Sequence, residues 1–229
     1  MQVSATFGIV LCLAITAVNM QICPNLGSAA SFAVIGASTV TNDGSTIING
    51  NLAISPGTSL TGFNPFGVIN GVQELGTTVA QKAQDDVTTV YNYLSSEEPT
   101  LDMTGIDLAG QTLGPGVYKF SSSAAITQPA GVLTLNGKGV YIFQIVSTLV
   151  TSGDSKIIAT NGANAGCIFW RVGSSATLGQ NSKFVGNILA YASVGLATNV
   201  VYSGSIYART GAVVLTTNII TRRARCKIC

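Results

Sequence analysis

No histidine occurs in the 229 residues, and only 9% of them are charged. The first absence removes the commonest general base and the commonest metal ligand. Ser-His-Asp and Cys-His nucleophile schemes fail with it. The second leaves Ser, Thr, Asn, Gly and Ala to make most of the surface, since about a quarter of a globular chain is ordinarily charged. Acid is scarcest downstream: between Leu108 and the C-terminus Asp154 stands alone. Neither a carboxylate pair nor an acidic calcium site can be assembled there. Asp85-Asp86 and Glu97-Glu98 read as solvated helix surface and helix end. No Gly-rich phosphate loop stands between a strand and a helix, and no calcium-binding nonapeptide is present. Catalysis, a cofactor and a bound metal are therefore not expected. A net charge of +2 gives no electrostatic case for nucleic acid or an acidic membrane. The basic run Arg222-Arg-Ala-Arg225-Cys-Lys227 reads as a solvated tail.

Residues 1–22 hold no charged side chain, and Ala5 to Val18 is apolar. A run of about 14 residues is too short to span a bilayer and fits the core of a signal peptide. Cleavage is expected near Ala17 to Gln21, giving a leader at 1–21, a single domain at 22–229 and a secreted, extracellular product. Cys12 falls in that leader, leaving Cys23, Cys167, Cys226 and Cys229. Secretion permits disulfides. A bridge from Cys23 to Cys226 or Cys229 is one hypothesis, with Cys167 a buried free thiol beside Ile168 and Phe169. Cys226-x-x-Cys229 lacks the second pair a metal or redox site would want.

What is present is a repeat. A glycine followed by apolar and aromatic residues returns as Gly116-Val-Tyr-Lys-Phe120, Gly139-Val-Tyr-Ile-Phe143, Gly166-Cys-Ile-Phe-Trp170, Gly186-Asn-Ile-Leu-Ala190 and Gly204-Ser-Ile-Tyr-Ala208. An earlier copy is Gly50-Asn-Leu-Ala-Ile54. Irregular spacings of roughly 18 to 27 residues, with Gly or Asn at the corners, predict an all-β solenoid of about six parallel rungs. Each phrase leads into a small-residue strand: Ser123-Ala-Ala125, Thr148-Leu-Val150, Ser175-Ala-Thr177, Ser193-Val-Gly195 and Ala212-Val-Val214, echoed upstream by Thr39-Val-Thr41. Alternation turns the middle residue inward and the outer two to the opposite side. Ala124, Leu149, Ala176, Val194 and Val213 should stack in one inward file.

One stretch changes period. Leu75, Val79, Ala83, Val87, Val90 and Leu94 recur at spacings of four and three, which predicts a helix over Val72 to Leu94. Its length of roughly 33 Å matches a six-rung stack, so it is expected along one flank with that stripe inward. Thr104 to Gly116 reads as a connecting loop.

The outward residues of the triplets form a two-column, uncharged surface. It lacks the Trp, Tyr and Arg anchors of a protein hot spot, and the aromatic platforms and polar forks that a sugar needs. Short side chains on a sheet lose little entropy when immobilised. Their methyl groups can sit in ordered water to which their hydroxyls hydrogen-bond. These properties suit a flat, periodic ligand made of water; they equally permit a purely structural or adhesive face.

From Leu26-Gly-Ser-Ala-Ala-Ser-Phe-Ala-Val-Ile35 to Thr221 the chain resembles the secreted microbial ice-binding (antifreeze) proteins. The phrases that carry the resemblance include Ser38-Thr-Val-Thr41, Gly50-Asn-Leu-Ala-Ile-Ser-Pro-Gly57, Ala83-Gln-Asp-Asp86, Leu113-Gly-Pro-Gly-Val-Tyr118, Gly173-Ser-Ser-Ala-Thr177 and Arg209-Thr-Gly-Ala212. It implies a discontinuous right-handed β-helix of triangular section, in which the N-terminal rung stacks beside the C-terminal one. That stacking would bring Cys23 near Cys226 or Cys229. It further implies an ice crystal surface as the partner, met by a monomer through Thr39, Thr41, Ser123, Ala125, Thr148, Val150, Ser175, Thr177, Ser193, Gly195, Ala212 and Val214. Val150, Gly195 and Val214 depart from a regular Thr-x-Thr array.

Overall fold

The computed structural model describes residues 23–127 and 131–227. The leader expected at 1–21, Cys12 and Cys229 lie outside them. Strands of two to five residues alternate with tight corners, and every strand pair is parallel. Three strands make a rung: Gly116–Phe120, Ala124–Ile126 and Val132–Asn136 form the first of the downstream series. Later rungs open at Tyr141, Ile168, Asn187 and Ile206. The stack then continues into upstream sequence. Ile206–Ala208 pairs with Phe32–Gly36, Val213–Thr216 with Thr39–Asp43, and Ile219–Thr221 with Ile47–Asn49. A last rung of Asn51–Ile54, Ser59–Thr61 and Val68–Ile69 lies beyond. The discontinuous β-helix is thus borne out, with seven complete rungs where the repeat phrases predict about six. The Phe32–Gly36 rung is entered from the 3-10 turn Gly27–Ser31 rather than from a glycine corner, so it carries no repeat phrase. Short strands cover the ends: Gln73–Leu75 at one, and Leu101–Asp102 with Thr112–Leu113 at the other. The last of these lies in the stretch expected to be only a loop.

The three sheets enclose an apolar interior. The file Ala124, Leu149, Ala176, Val194, Val213 is continuous and extends through Val40 and Leu60. Beside it runs an aromatic column, Tyr118, Phe143, Trp170, Phe184 and Tyr202, with neighbouring ring centres 3.8 to 5.4 Å apart. Rungs turn out of the flat sheet through left-handed residues: Asp154, Asn181, Asn199, Thr217 and Gly44. Asn and Asp tolerate that conformation; a β-branched residue does not. Thr217, at φ 50°, is the strained member. Thr217→Asn is expected to raise stability by about 1 kcal/mol, and the midpoint of a thermal melt by about 2–4 °C. An unchanged midpoint would show that the corner stores no strain.

The helix runs Thr78–Ser96, not Val72 to Leu94. Thr77 caps it, its hydroxyl accepting from Ala80 N at 3.1 Å. The residues before the cap are used as strand: Leu75 pairs with Ile54 and packs against the interior. Val79 is exposed, because in the first turn Ala80 takes the inward position. From there the stripe holds, with Ala83, Val87, Val90 and Leu94 buried. They pack on Phe32, Ile35, Ala53, Ile142, Phe169, Leu189 and Tyr207, on the outer face of the sheet that opens each rung. Both faces of that sheet are therefore buried, which is why Phe32–Gly36 and Tyr141–Ile145 are buried at every position, without alternation. Asp86 is not simply solvated. It accepts from Ser28 N at 2.7 Å and Ser28 Oγ at 2.6 Å, tying the helix to the Gly27–Ser31 turn. Burial alone would raise its pKa; hydrogen bonds from Lys82 and Ser28 outweigh that and hold it below the ordinary aspartate value.

The C-terminal run is not a solvated tail either. Arg222 donates to Ala30 O at 3.0 Å, Arg225 to Gly27 O at 2.9 Å, and Arg223 to Ser203 Oγ at 2.6 Å. That path carries Cys226 to Cys167, and the two form a disulfide. Cys167 is thus not the free thiol expected of it. The bridge from Cys23 to Cys226 is excluded with it, although the two sulfurs lie 3.4 Å apart. Cys23 is itself disulfide-bonded. The apolar neighbours Ile168 and Phe169 hid the fact that Cys167 ends the Ala165–Cys167 turn, where the tail returns: a Cβ on Gly166 would meet the Ala224 carbonyl.

Candidate functional site

The small-residue strands form one seven-stranded parallel sheet. Each strand offers two outward positions on either side of an inward one, which is buried in every strand but Ser59–Thr61, where Leu60 is half-buried. In spatial order the first column is Ser123, Thr148, Ser175, Ser193, Ala212, Thr39 and Ser59. The second is Ala125, Val150, Thr177, Gly195, Val214, Thr41 and Thr61. All twelve residues expected on one surface therefore share it, and Val213 inward with Val214 outward confirms the register of the least regular strand. Ser59 and Thr61 complete the face at its far end and were not foreseen; their strand follows Pro56-Gly57 and has no repeat phrase of its own.

Seven strands spaced about 4.8 Å apart make the surface about 29 Å long. None of its fourteen side chains ionises. The first column is held by hydroxyls turned along the stack. Ser123 Oγ and Thr148 Oγ1 are 2.7 Å apart. Ser193 N donates to Ser175 Oγ at 3.3 Å, and Ala212 N to Ser193 Oγ at 3.1 Å. An oxygen that accepts from the neighbouring rung still has its own O–H to donate outward. The second column is drier: Val150 is 40% exposed and Val214 46%. Methyls left in water cost free energy relative to burying them against a partner surface. Gly195 interrupts this column. Its Cβ position has nothing within 4 Å, so the gap is a missing side chain rather than a close approach. The residues of the surface include no general base and no metal-ligating set; what they present outward is methyls and hydroxyls.

The family model described as ice-binding-like matches residues 34–221. An ice-binding protein of Nostoc sp. (strain HG1) is 48% identical over 86% of this chain and 73% of its own length. Among solved structures, an ice-binding protein from an Antarctic biological consortium superposes with a TM-score of 0.84 at 38% identity, over 88% of this chain and 91% of that one. The ice-binding protein of the Antarctic ascomycete Antarctomyces psychrotrophicus gives 0.81 at 38% identity, over 87% and 98%. The match runs from the first rung strand to the last, through the helix and the whole flat sheet, and the chain belongs to the ice-binding-like family.

Proposed function

We propose that the protein is an antifreeze that adsorbs to ice through the two-column flat face and thereby slows ice growth and recrystallisation. The observation that carries this reading is the face itself: seven rungs long, uncharged, and built only of Ser, Thr, Ala, Val and Gly. Water held over such a face keeps its hydrogen bonds through the hydroxyls, while the methyls impose no competing orientation. Little side-chain entropy is lost, because the groups are short and half of them are β-branched residues already stiff on a sheet. The rungs do not flex, because the sheet is bonded on both edges of every inner strand and backed by a close-packed interior.

The protein works outside the cell, as a monomer. The apolar N-terminal run and the Cys167–Cys226 disulfide both favour an oxidising, extracellular compartment. Among the described residues no helix is long and apolar enough to cross a membrane.

Gly195 provides a gain-of-function test. Its φ is not left-handed and its Cβ direction is open, so Gly195→Thr fills the second column beside Thr177 without strain. Recrystallisation inhibition and the thermal hysteresis gap are expected to increase, with stability up by about 0.5–1 kcal/mol from the lost glycine entropy. Greater stability with no change in ice activity would move the binding surface elsewhere.

A further inference from the structure

Beside the flat face, at the corner where the helix-covered sheet turns into it, lies a group of side chains that ice adsorption does not use. Two guanidinium groups stand over one ring: Arg171 Cζ is 4.4 Å and Arg209 Cζ 4.3 Å from the centre of Tyr91. Arg209 also lies 5.4 Å from the ring centre of Tyr191. No carboxylate among the described residues is within ion-pair distance of either arginine; the ion pair found there is Lys82–Asp86. Tyr91 supplies no charge, because its hydroxyl donates to Val172 O at 3.3 Å and burial pushes its pKa up.

The arginines are also short of hydrogen-bond partners. A guanidinium has five N–H groups. Arg171 spends one on Ile145 O at 3.3 Å, and its buried Nε has none. Arg209 makes two long contacts, both 3.4 Å, to Thr88 Oγ1 and donates a hydrogen bond to the Tyr91 side chain. Cation–π contact pins the helix to the stack, but one arginine would do that. A second cation on the same ring, with no carboxylate within ion-pair distance, is what a purely structural role leaves unexplained. The two arginines and the two tyrosine rings line an open notch of about 550 Å³, with Asn92 and Val146 at its edge. Tyr191 is 48% exposed there.

We propose that this corner binds a carboxylated sugar of an extracellular polysaccharide. The Arg209 guanidinium supplies the fork that a carboxylate takes, Arg171 adds a second positive charge at the notch, and the half-exposed Tyr191 ring beside Arg209 supplies a platform for the pyranose. These are the aromatic platform and polar fork that the flat face lacks. Tyr191 and Arg209 lie just upstream of Ser193 and Ala212 in the first column. A polymer held there lies alongside the ice face without covering it, so an acidic matrix could carry the protein while its flat sheet stays open.

The test is calorimetric titration of the mature protein at low salt with a short oligouronate, with a neutral oligosaccharide of the same linkage, and with inorganic sulfate. The oligouronate is expected to bind at least ten times more tightly than either control and to weaken as salt is raised. Arg209→Gln and Tyr191→Ala are each expected to cost about tenfold in that affinity. Both variants should keep their melting cooperativity and their partitioning into ice, which separates this site from the ice reading. Should Arg209→Gln fold poorly, Tyr191→Ala, altered at an exposed ring, carries the test. Equal binding of the neutral sugar, sulfate binding as tight as the oligouronate, or affinity untouched in the folded variant would each overturn the proposal.

Discussion

Thr177→Tyr is expected to abolish adsorption to ice and leave the fold standing. Thr177 sits in the middle of the second column, flanked in register by Val150 and Gly195. Its neighbours Ala176 and Leu178 are buried and hold the strand, while Thr177 itself points out. A phenol ring there rises above side chains that are nowhere longer than Val or Thr. A rigid surface cannot bend to bring the rest of the face back to a flat crystal, so one protrusion separates several rungs from ice at once. Stability should change by no more than about 0.5 kcal/mol, as for an outward substitution that touches no packed group. Thermal hysteresis, recrystallisation inhibition and a thermal melt on the same sample read all three. Ser193→Tyr, in the first column one rung along, is expected to lose ice adsorption too, with a larger stability cost of about 0.5–1.5 kcal/mol because Ala212 N loses its Ser193 Oγ acceptor. Unchanged ice activity in both folded variants would remove the face assignment.

Trp170→Ala is expected to do the opposite: to damage the scaffold and impair ice activity only by unfolding it. Trp170 is fully buried at the centre of the aromatic column, its ring stacked 3.8 Å from Phe143 and tilted at 52° against Phe184, 5.2 Å away. Its indole N–H donates to Val185 O at 3.0 Å. Truncation leaves a cavity between rungs that cannot collapse, because the backbones on either side are fixed in parallel register. It also deprives the Val185 carbonyl of its donor. The cost should be about 3–5 kcal/mol, lowering the melting midpoint by roughly 6–20 °C for a chain of this size. Trp170→Phe, which keeps the stack and loses only the N–H, should recover most of that. Well below its own melting point the Ala variant should still bind ice, since no face residue has moved. Loss of ice binding in folded Trp170→Ala would mean that the interior does more than support the face.

The flat face was legible because its pattern is local. Alternation about Ala124, Leu149, Ala176, Val194 and Val213 is enough to place each outward pair, and stacking only repeats it. The upstream strands were harder. Ser59 and Thr61 sit in a three-residue strand with no glycine phrase, and their place follows from pairing with Thr39 and Thr41 rather than from their own sequence. The helix start was misplaced because Leu75 is apolar in either period, and nothing local says that it continues a sheet. Features that depend on how distant segments meet left no sequence signal. Cys167 pairs with Cys226 because the tail runs back over the Ala165–Cys167 turn. Arg171 and Arg209 share one tyrosine because their strands are two rungs apart in the stack, with Asn187–Ala190 between them. In a sequence so poor in charge, two arginines without a nearby acid were the available clue to that corner.

The central claim is that this chain carries an ice-adsorbing surface, and ice-affinity partitioning of the folded protein tests it most directly. A slowly grown ice fraction should be enriched in the protein relative to the remaining liquid, with a non-binding control excluded and with single crystals faceted below the melting point. Exclusion of a folded, disulfide-intact sample from the ice, with crystals growing as rounded discs, would contradict it.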